Sequence, residues 1–167
     1  MRFCCELYKL QAGAGRYFLQ EHPANATSWQ LAEVQKMLET NGVQRVVGDQ
    51  CQYGQETGEG NPVKKPIGWL SNSPEILKKL QKRCRGRAGR CTRPGGGDHV
   101  TASGKEAREA AVYPFKLCRD ILKGCMRQLQ ADGRLQPGIH GAQCLWEETA
   151  DEVLALTGRW TPTTKPS

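Results

Sequence analysis

Two short β-rich runs separated by a single helical stripe set the tightest limit on how this chain can fold. The first run is Tyr17, Phe18 and Leu19, entered from the small-residue turn Gly13-Ala14-Gly15 and followed by Gln20, Glu21, His22 and Pro23. The second holds Val43, Val46 and Val47 and leads into Gly48 and Asp49. Between them Leu31, Val34, Met37 and Leu38 recur at helical spacing, after a Thr27/Gln30 capping pattern and before an Asn41-Gly42 stop. Strand, helix and strand in that order predict a right-handed crossover joining two parallel strands. Ligands of open parallel sheets bind beyond the carboxyl ends of the strands. By that rule Glu21 and His22 hold the best-placed carboxylate and imidazole in the chain.

The remaining elements follow from local signals. Phe3, Leu7, Tyr8 and Leu10 predict an N-terminal helix ending near Gly13. Ile67, Gly68, Trp69 and Leu70 predict a third strand. Ser73-Pro74-Glu75 is a strong helix start, with a capping hydroxyl, proline at the first position and an early acid. Residues 84–104 are irregular, 105–112 resume a helical pattern, and Pro114 opens a longer helix whose inner side carries Phe115, Leu117, Cys118, Ile121, Leu122 and Met126. The expected fold is α/β, a small and mostly parallel sheet with flanking helices over residues 1–132. A helical extension over 133–157 (Trp146 to Leu156 reads as an acidic helix) and a disordered tail over 158–167 complete it.

Charge is concentrated. The chain of 167 residues carries a net charge of +7, and residues 78–93 hold eight basic side chains and no acidic one. These are Lys78, Lys79, Lys82, Arg83, Arg85, Arg87, Arg90 and Arg93, and outside them the chain is close to neutral. A single positive block points to phosphate contact, with Lys64 and Lys65 as further candidates. The bland alternative is a solvated loop without a partner. No run of 18 apolar residues is present, so no membrane partner is expected. The first residues lack the apolar core of a signal peptide. The eight cysteines therefore read as reduced thiols in an intracellular compartment, nuclear or cytoplasmic.

The motifs also support a resemblance. Phe18 to Pro23, then Val46 to Gly54, then Val63-Lys64-Lys65-Pro66, follow the order of the second half of a class I methyltransferase sheet. More narrowly they resemble DNA cytosine-5 methyltransferases, with Glu21-His22-Pro23, Tyr53-Gly54 and Lys64-Lys65 at the family's strand-end, Tyr-Gly and basic positions. A closer resemblance is to methyltransferase-like segments of copia-type retroelement polyproteins. It is carried by Glu21-His22-Pro23 with Ala26-Thr27-Ser28-Trp29, by Asp49-Gln50-Cys51-Gln52-Tyr53-Gly54, by Lys65-Pro66 through Ser73, and by Tyr113-Pro114-Phe115-Lys116-Leu117-Cys118. The resemblance spans roughly residues 1–125 and implies a partial Rossmann-like sheet. It also implies a catalytic position at Glu21, which in the enzymes contacts a flipped cytosine. Without a catalytic partner, Glu21 would instead cap a helix or pair with Lys64 or Lys65. The family's Gly-rich cofactor loop and its Pro-Cys nucleophile have no counterpart here. The resemblance therefore implies a truncated, non-catalytic segment. S-adenosylmethionine would bind only if a partner chain supplied the missing N-terminal half.

Cys84, Cys91 and His99 form a competing site within the basic loop at 78–104. Their gaps of six and seven residues are wider than the tight pairs of most zinc sites, and no fourth ligand is evident. Asp98, Cys118 or Cys125 could close the set. Cys51, isolated at a strand end, reads as a residue packed against the sheet. His22 and His140 are isolated. Three functions follow from these readings: a methyltransferase-like segment contacting nucleic acid without catalysis, a stand-alone nucleic-acid-binding module with a zinc-stabilised basic loop, or half of an enzyme completed by a partner.

Overall fold

The computed structural model describes residues 1–100 and 111–135. The helical patterns expected at 105–110 and 146–156, His140, and the tail lie outside the described residues. Two compact units divide the chain, Met1–Leu129 and Gln130–Ser167. Of the second, only residues 130–135 are described.

Helix α1 (Arg2–Gly13) leads into strand β1 (Leu19–Pro23), a 3-10 turn (Thr27–Gln30), helix α2 (Ala32–Leu38) and strand β2 (Gln44–Asp49). A second 3-10 turn (Gln50–Tyr53) and a long connection reach strand β3 (Pro66–Ser71), which is followed by helix α3 (Pro74–Leu80) and helix α4 (Phe115–Ala131). The expected cap of α3 is present: the Ser73 hydroxyl accepts from the Ile76 amide at 3.3 Å, with Pro74 in the first turn.

The sheet corrects the expected fold class. Its three strands lie in the order β1-β3-β2, and both neighbours pair antiparallel to β3. Strands β1 and β2 do run in the same direction, as a strand-helix-strand pattern requires. They never touch, because β3 enters between them from the opposite direction. The unit is a split β-α-β arrangement rather than half of a mostly parallel Rossmann-like sheet. Local periodicity reports the direction change across a helix, but it cannot report which later strand will fill the gap. The rule placing ligands beyond the carboxyl ends of parallel strands loses its footing with it.

β3 can fill that gap because it is buried on both faces. Ile67 and Trp69 point to one side, where they pack with Tyr53, Ile76, Leu77, Leu80 and Leu117. Leu70 points to the other, among Cys5, Phe18, Trp29, Val34, Met37 and Val43. Two backbone positions permit this double packing. At Gly68 an added Cβ would lie 2.6 Å from the Trp29 ring and 3.1 Å from Nε of Arg45, whose guanidinium lies over that ring at 4.3 Å from its centre. At Gly48 it would lie 2.2 Å from the Leu80 carbonyl oxygen, so the end of α3 closes directly onto β2.

Alanine at Gly48 should therefore destabilise the protein by about 2–3 kcal/mol, the cost of overpacking against backbone that cannot rotate away. Alanine at Gly13, where a Cβ meets nothing within 4 Å, should not destabilise it. Urea denaturation checks both, and equal midpoints for the two variants would contradict the close contact.

Candidate metal centre

The site forms where β2 ends. Asp49 is its last residue and is wholly buried. Its amide donates to the Lys82 carbonyl at 2.9 Å. One carboxylate oxygen, Oδ2, accepts from the Cys84 amide at 2.7 Å and lies 3.0 Å from Nε of Arg83. The chain leaving α3 is thus laid along the end of β2, and Cys84 is fixed against the sheet. Immediately after Asp49 the 3-10 turn carries Cys51, and the Gln50 amide donates to the Lys65 carbonyl at 3.0 Å. The ring of Tyr53 ties the turn to α3: its hydroxyl donates to the Lys79 carbonyl at 3.0 Å and accepts from the Lys82 amide at 3.1 Å.

The loop beyond Cys84 folds back on itself. Cys91 N donates to Gly97 O at 2.8 Å, and His99 N to Gly89 O at 2.7 Å. Arg93 stitches this loop to the connection after β2 by donating to Glu56 Oε2 at 2.7 Å, Gly60 O at 2.6 Å and Gly96 O at 3.0 Å. The Val100 amide then reaches Pro62 O at 3.0 Å.

These ties bring Cys51, Cys84, Cys91 and His99 together, with one ligand atom from each within 4.8 Å of all the others, and the cluster could hold a metal ion. The sulfurs of Cys84 and Cys91 are 3.8 Å apart, and Cys84 Sγ is 3.4 Å from His99 Nε2. All three thiols are buried. Around them stand hydrogen-bond donors to sulfur: Gln52 Nε2 at 3.7 Å from Cys51 and 3.6 Å from Cys91, the Thr92 hydroxyl at 3.5 Å from Cys84, and the Arg93 amide at 3.4 Å from Cys91. The thiols differ in acidity. Burial pushes Cys51 up to about 12, only partly opposed by the Gln52 amide. Burial works the same way on Cys84, but hydrogen bonds from the Thr92 hydroxyl, the Thr92 and Gly86 amides and the Cys91 thiol outweigh it and bring Cys84 down to about 6. Of the two, Cys84 forms the thiolate, the form that can ligate a metal, the more readily.

The fourth donor is the residue that sequence spacing missed. Cys51 lies 33 positions before Cys84, beyond any local zinc pattern, and its partners meet it only because β2 and α3 end side by side. The one available signal was its place directly after the Asp49 strand end. The residues considered as closing ligands lie elsewhere: Asp98 faces Arg90 at 3.6 Å, Cys118 is exposed on α4, and Cys125 packs against the cluster around Trp69.

Glu21 and His22, adjacent on β1, point to opposite faces of the sheet. The Tyr113 hydroxyl hydrogen-bonds to Glu21, and burial together with that carboxylate pushes the Tyr113 ionisation up. His22 stands edge-on to Trp29, with ring centres 6.2 Å apart.

The basic block is less free than its composition implies. Lys78 pairs with Glu75, Lys82 with Asp120 at 2.6 Å, Arg83 with Asp49, and Arg93 with Glu56. Arg90 reaches only the exposed Asp98. Among the described residues, Arg85 and Arg87 meet no acidic partner. Both are exposed, and both lie on the loop between Cys84 and Cys91. Lys64 is likewise exposed, while Lys65 and Lys79 are half-buried. Comparison of the chain with protein-family models, with curated proteins and with solved structures found no match.

Proposed function

We propose that this chain is a nucleic-acid-binding module whose basic loop is stapled in place by a structural zinc ion. The observation that carries the reading is the donor geometry. A tetrahedral zinc ion with Zn–S near 2.3 Å and Zn–N near 2.0–2.1 Å sets an edge of about 3.8 Å between two sulfurs and about 3.6 Å between sulfur and nitrogen. The Cys84–Cys91 and Cys84–His99 separations are 3.8 and 3.4 Å. Three thiols and one imidazole fill all four positions, so the centre leaves no open position for a substrate and its role is structural. The Gln52 amide, shared between two of the sulfurs, would hold them oriented and temper their charge.

The part that zinc would hold is the loop bearing Arg85 and Arg87. No tyrosine, phenylalanine or tryptophan occurs from residue 78 to residue 112. Base stacking has no platform there, and the contact would be to phosphate. The metal would thus contribute order, and the arginines charge.

Protein purified without added metal should contain close to one zinc ion per chain. Cys51→Ser should lower zinc affinity at least tenfold, and Gln52→Ala by roughly tenfold or more. Cys118→Ser should change nothing. Undiminished zinc in Cys51→Ser, measured by competition with a chromogenic chelator, would remove Cys51 from the centre.

Duplex DNA binding followed by fluorescence anisotropy should weaken with salt along a log–log slope of about −2 to −3, the yield of two or three released counterions. The double variant Arg85→Ala/Arg87→Ala should flatten that slope by about two, whereas Lys78→Ala should leave it nearly unchanged. A slope near −8 would mean that the whole block contacts phosphate, in conflict with the ion pairs described above.

A further inference from the structure

We infer that the same centre is a thiol switch, in which peroxide joins Cys84 to Cys91 as a disulfide and expels the metal. This inference rests on the metal-binding reading above. It follows from differences among the three thiols. Cys84 and Cys91 are each 7% exposed, whereas Cys51 is fully enclosed. The oxidant therefore meets the first two before the third. Their sulfurs are 3.8 Å apart and need to close to about 2.05 Å.

Rotation of the two side chains has to supply that movement, because the backbone is held at Cys84 by Asp49 and at Cys91 by Gly97. Cys84 and Cys91 bracket an exposed turn in which Ala88 and Gly89 both have positive φ, +50° and +82°. Cys51 lies on a different segment. It sits in a 3-10 turn held by the Gln50 amide on Lys65 and by the Tyr53 hydroxyl on α3. The remaining described cysteines, Cys4, Cys5, Cys118 and Cys125, lie outside the cluster.

The chemistry balances with hydrogen peroxide as the oxidant. One thiolate of the pair attacks a peroxide oxygen, the O–O bond breaks, and a sulfenic acid forms with loss of hydroxide. The second thiolate attacks that sulfur, the S–S bond forms, and a second hydroxide leaves. Two sulfurs have then lost two electrons and peroxide has gained two, while zinc departs as Zn²⁺ without a change of oxidation state. Cys51 and His99 remain as two donors, too few for a structural site. The loop carrying Arg85 and Arg87 then loses its metal link to Cys51, while the bonds of Cys84 to Asp49 and of Arg93 to Glu56 and Gly60 remain.

The test treats the zinc-loaded full chain with stoichiometric hydrogen peroxide, follows released zinc with a chromogenic chelator, and maps disulfides by mass spectrometry without reduction. The expected result is release of about one zinc ion per chain in step with a single Cys84–Cys91 linkage, reversed by dithiothreitol with added zinc. Cys118→Ser should behave identically. Zinc retained after oxidation, a linkage involving Cys51, or over-oxidation to sulfinic acid without a linkage would overturn the switch while leaving the metal centre standing. A chain that takes up no zinc before oxidation would instead overturn the metal centre itself, and the switch with it.

Discussion

The carboxylate of Asp49 is the joint on which the functional half of this molecule turns. It is wholly buried at the end of β2, and it accepts from the Cys84 amide and the Arg83 side chain through the same oxygen. A buried carboxylate is tolerated only when hydrogen bonds and an opposite charge replace its lost water. Here the replacements come from the segment leaving α3 and all reach Oδ2, so pairing that oxygen and positioning Cys84 are one event, while Oδ1 is buried without a hydrogen-bond partner. The following residues place Cys51 opposite, and the arrangement of thiols is a consequence of closing the sheet edge.

That closure depends on the middle strand. β3 is buried on both faces and supports two separate apolar clusters, one beneath α1 and α2 and one beneath α3 and α4. Buried side chains on both sides demand close approach of backbone at a few points, which Gly48 and Gly68 provide. The small cluster of Cys51, Cys84 and Cys91 lies apart from both. It is apolar enough to shed water from the thiols and too small to hold two loops by burial alone. A shared cation would supply that cohesion directly, since metal affinity gained only in the folded state is folding free energy.

Charge is handled in the same economical way. Three of the eight cations between residues 78 and 93 serve the fold: Arg83 answers Asp49, Arg93 binds the connection after β2 through Glu56 and Gly60, and Lys82 reaches α4 through Asp120. A run of basic residues thus divides into structural cations and a few that face solvent unopposed. Two of the unopposed ones, the exposed Arg85 and Arg87, sit between Cys84 and Cys91, two members of the cluster that could hold a metal ion.

The sequence by itself determined the local elements. The Ser73-Pro74 start of α3, the helix opened by Pro114 and the third strand stand where capping chemistry, proline and β-rich composition put them, because each depends on neighbours within one turn or a few residues. It also named three of the four clustered side chains, Cys84, Cys91 and His99, which share one loop. The tertiary structure alone decided the antiparallel insertion of β3 between β1 and β2, since strand order is fixed by which apolar faces bury each other and not by any local period. It alone decided that Cys51 joins the cluster of Cys84, Cys91 and His99, because that contact is made by two strand and helix ends meeting in space. The division of the basic block had in large part the same origin: Glu75 and Asp98 lie near their partners in the chain, but Asp49, Glu56 and Asp120 lie far away and come close only on folding.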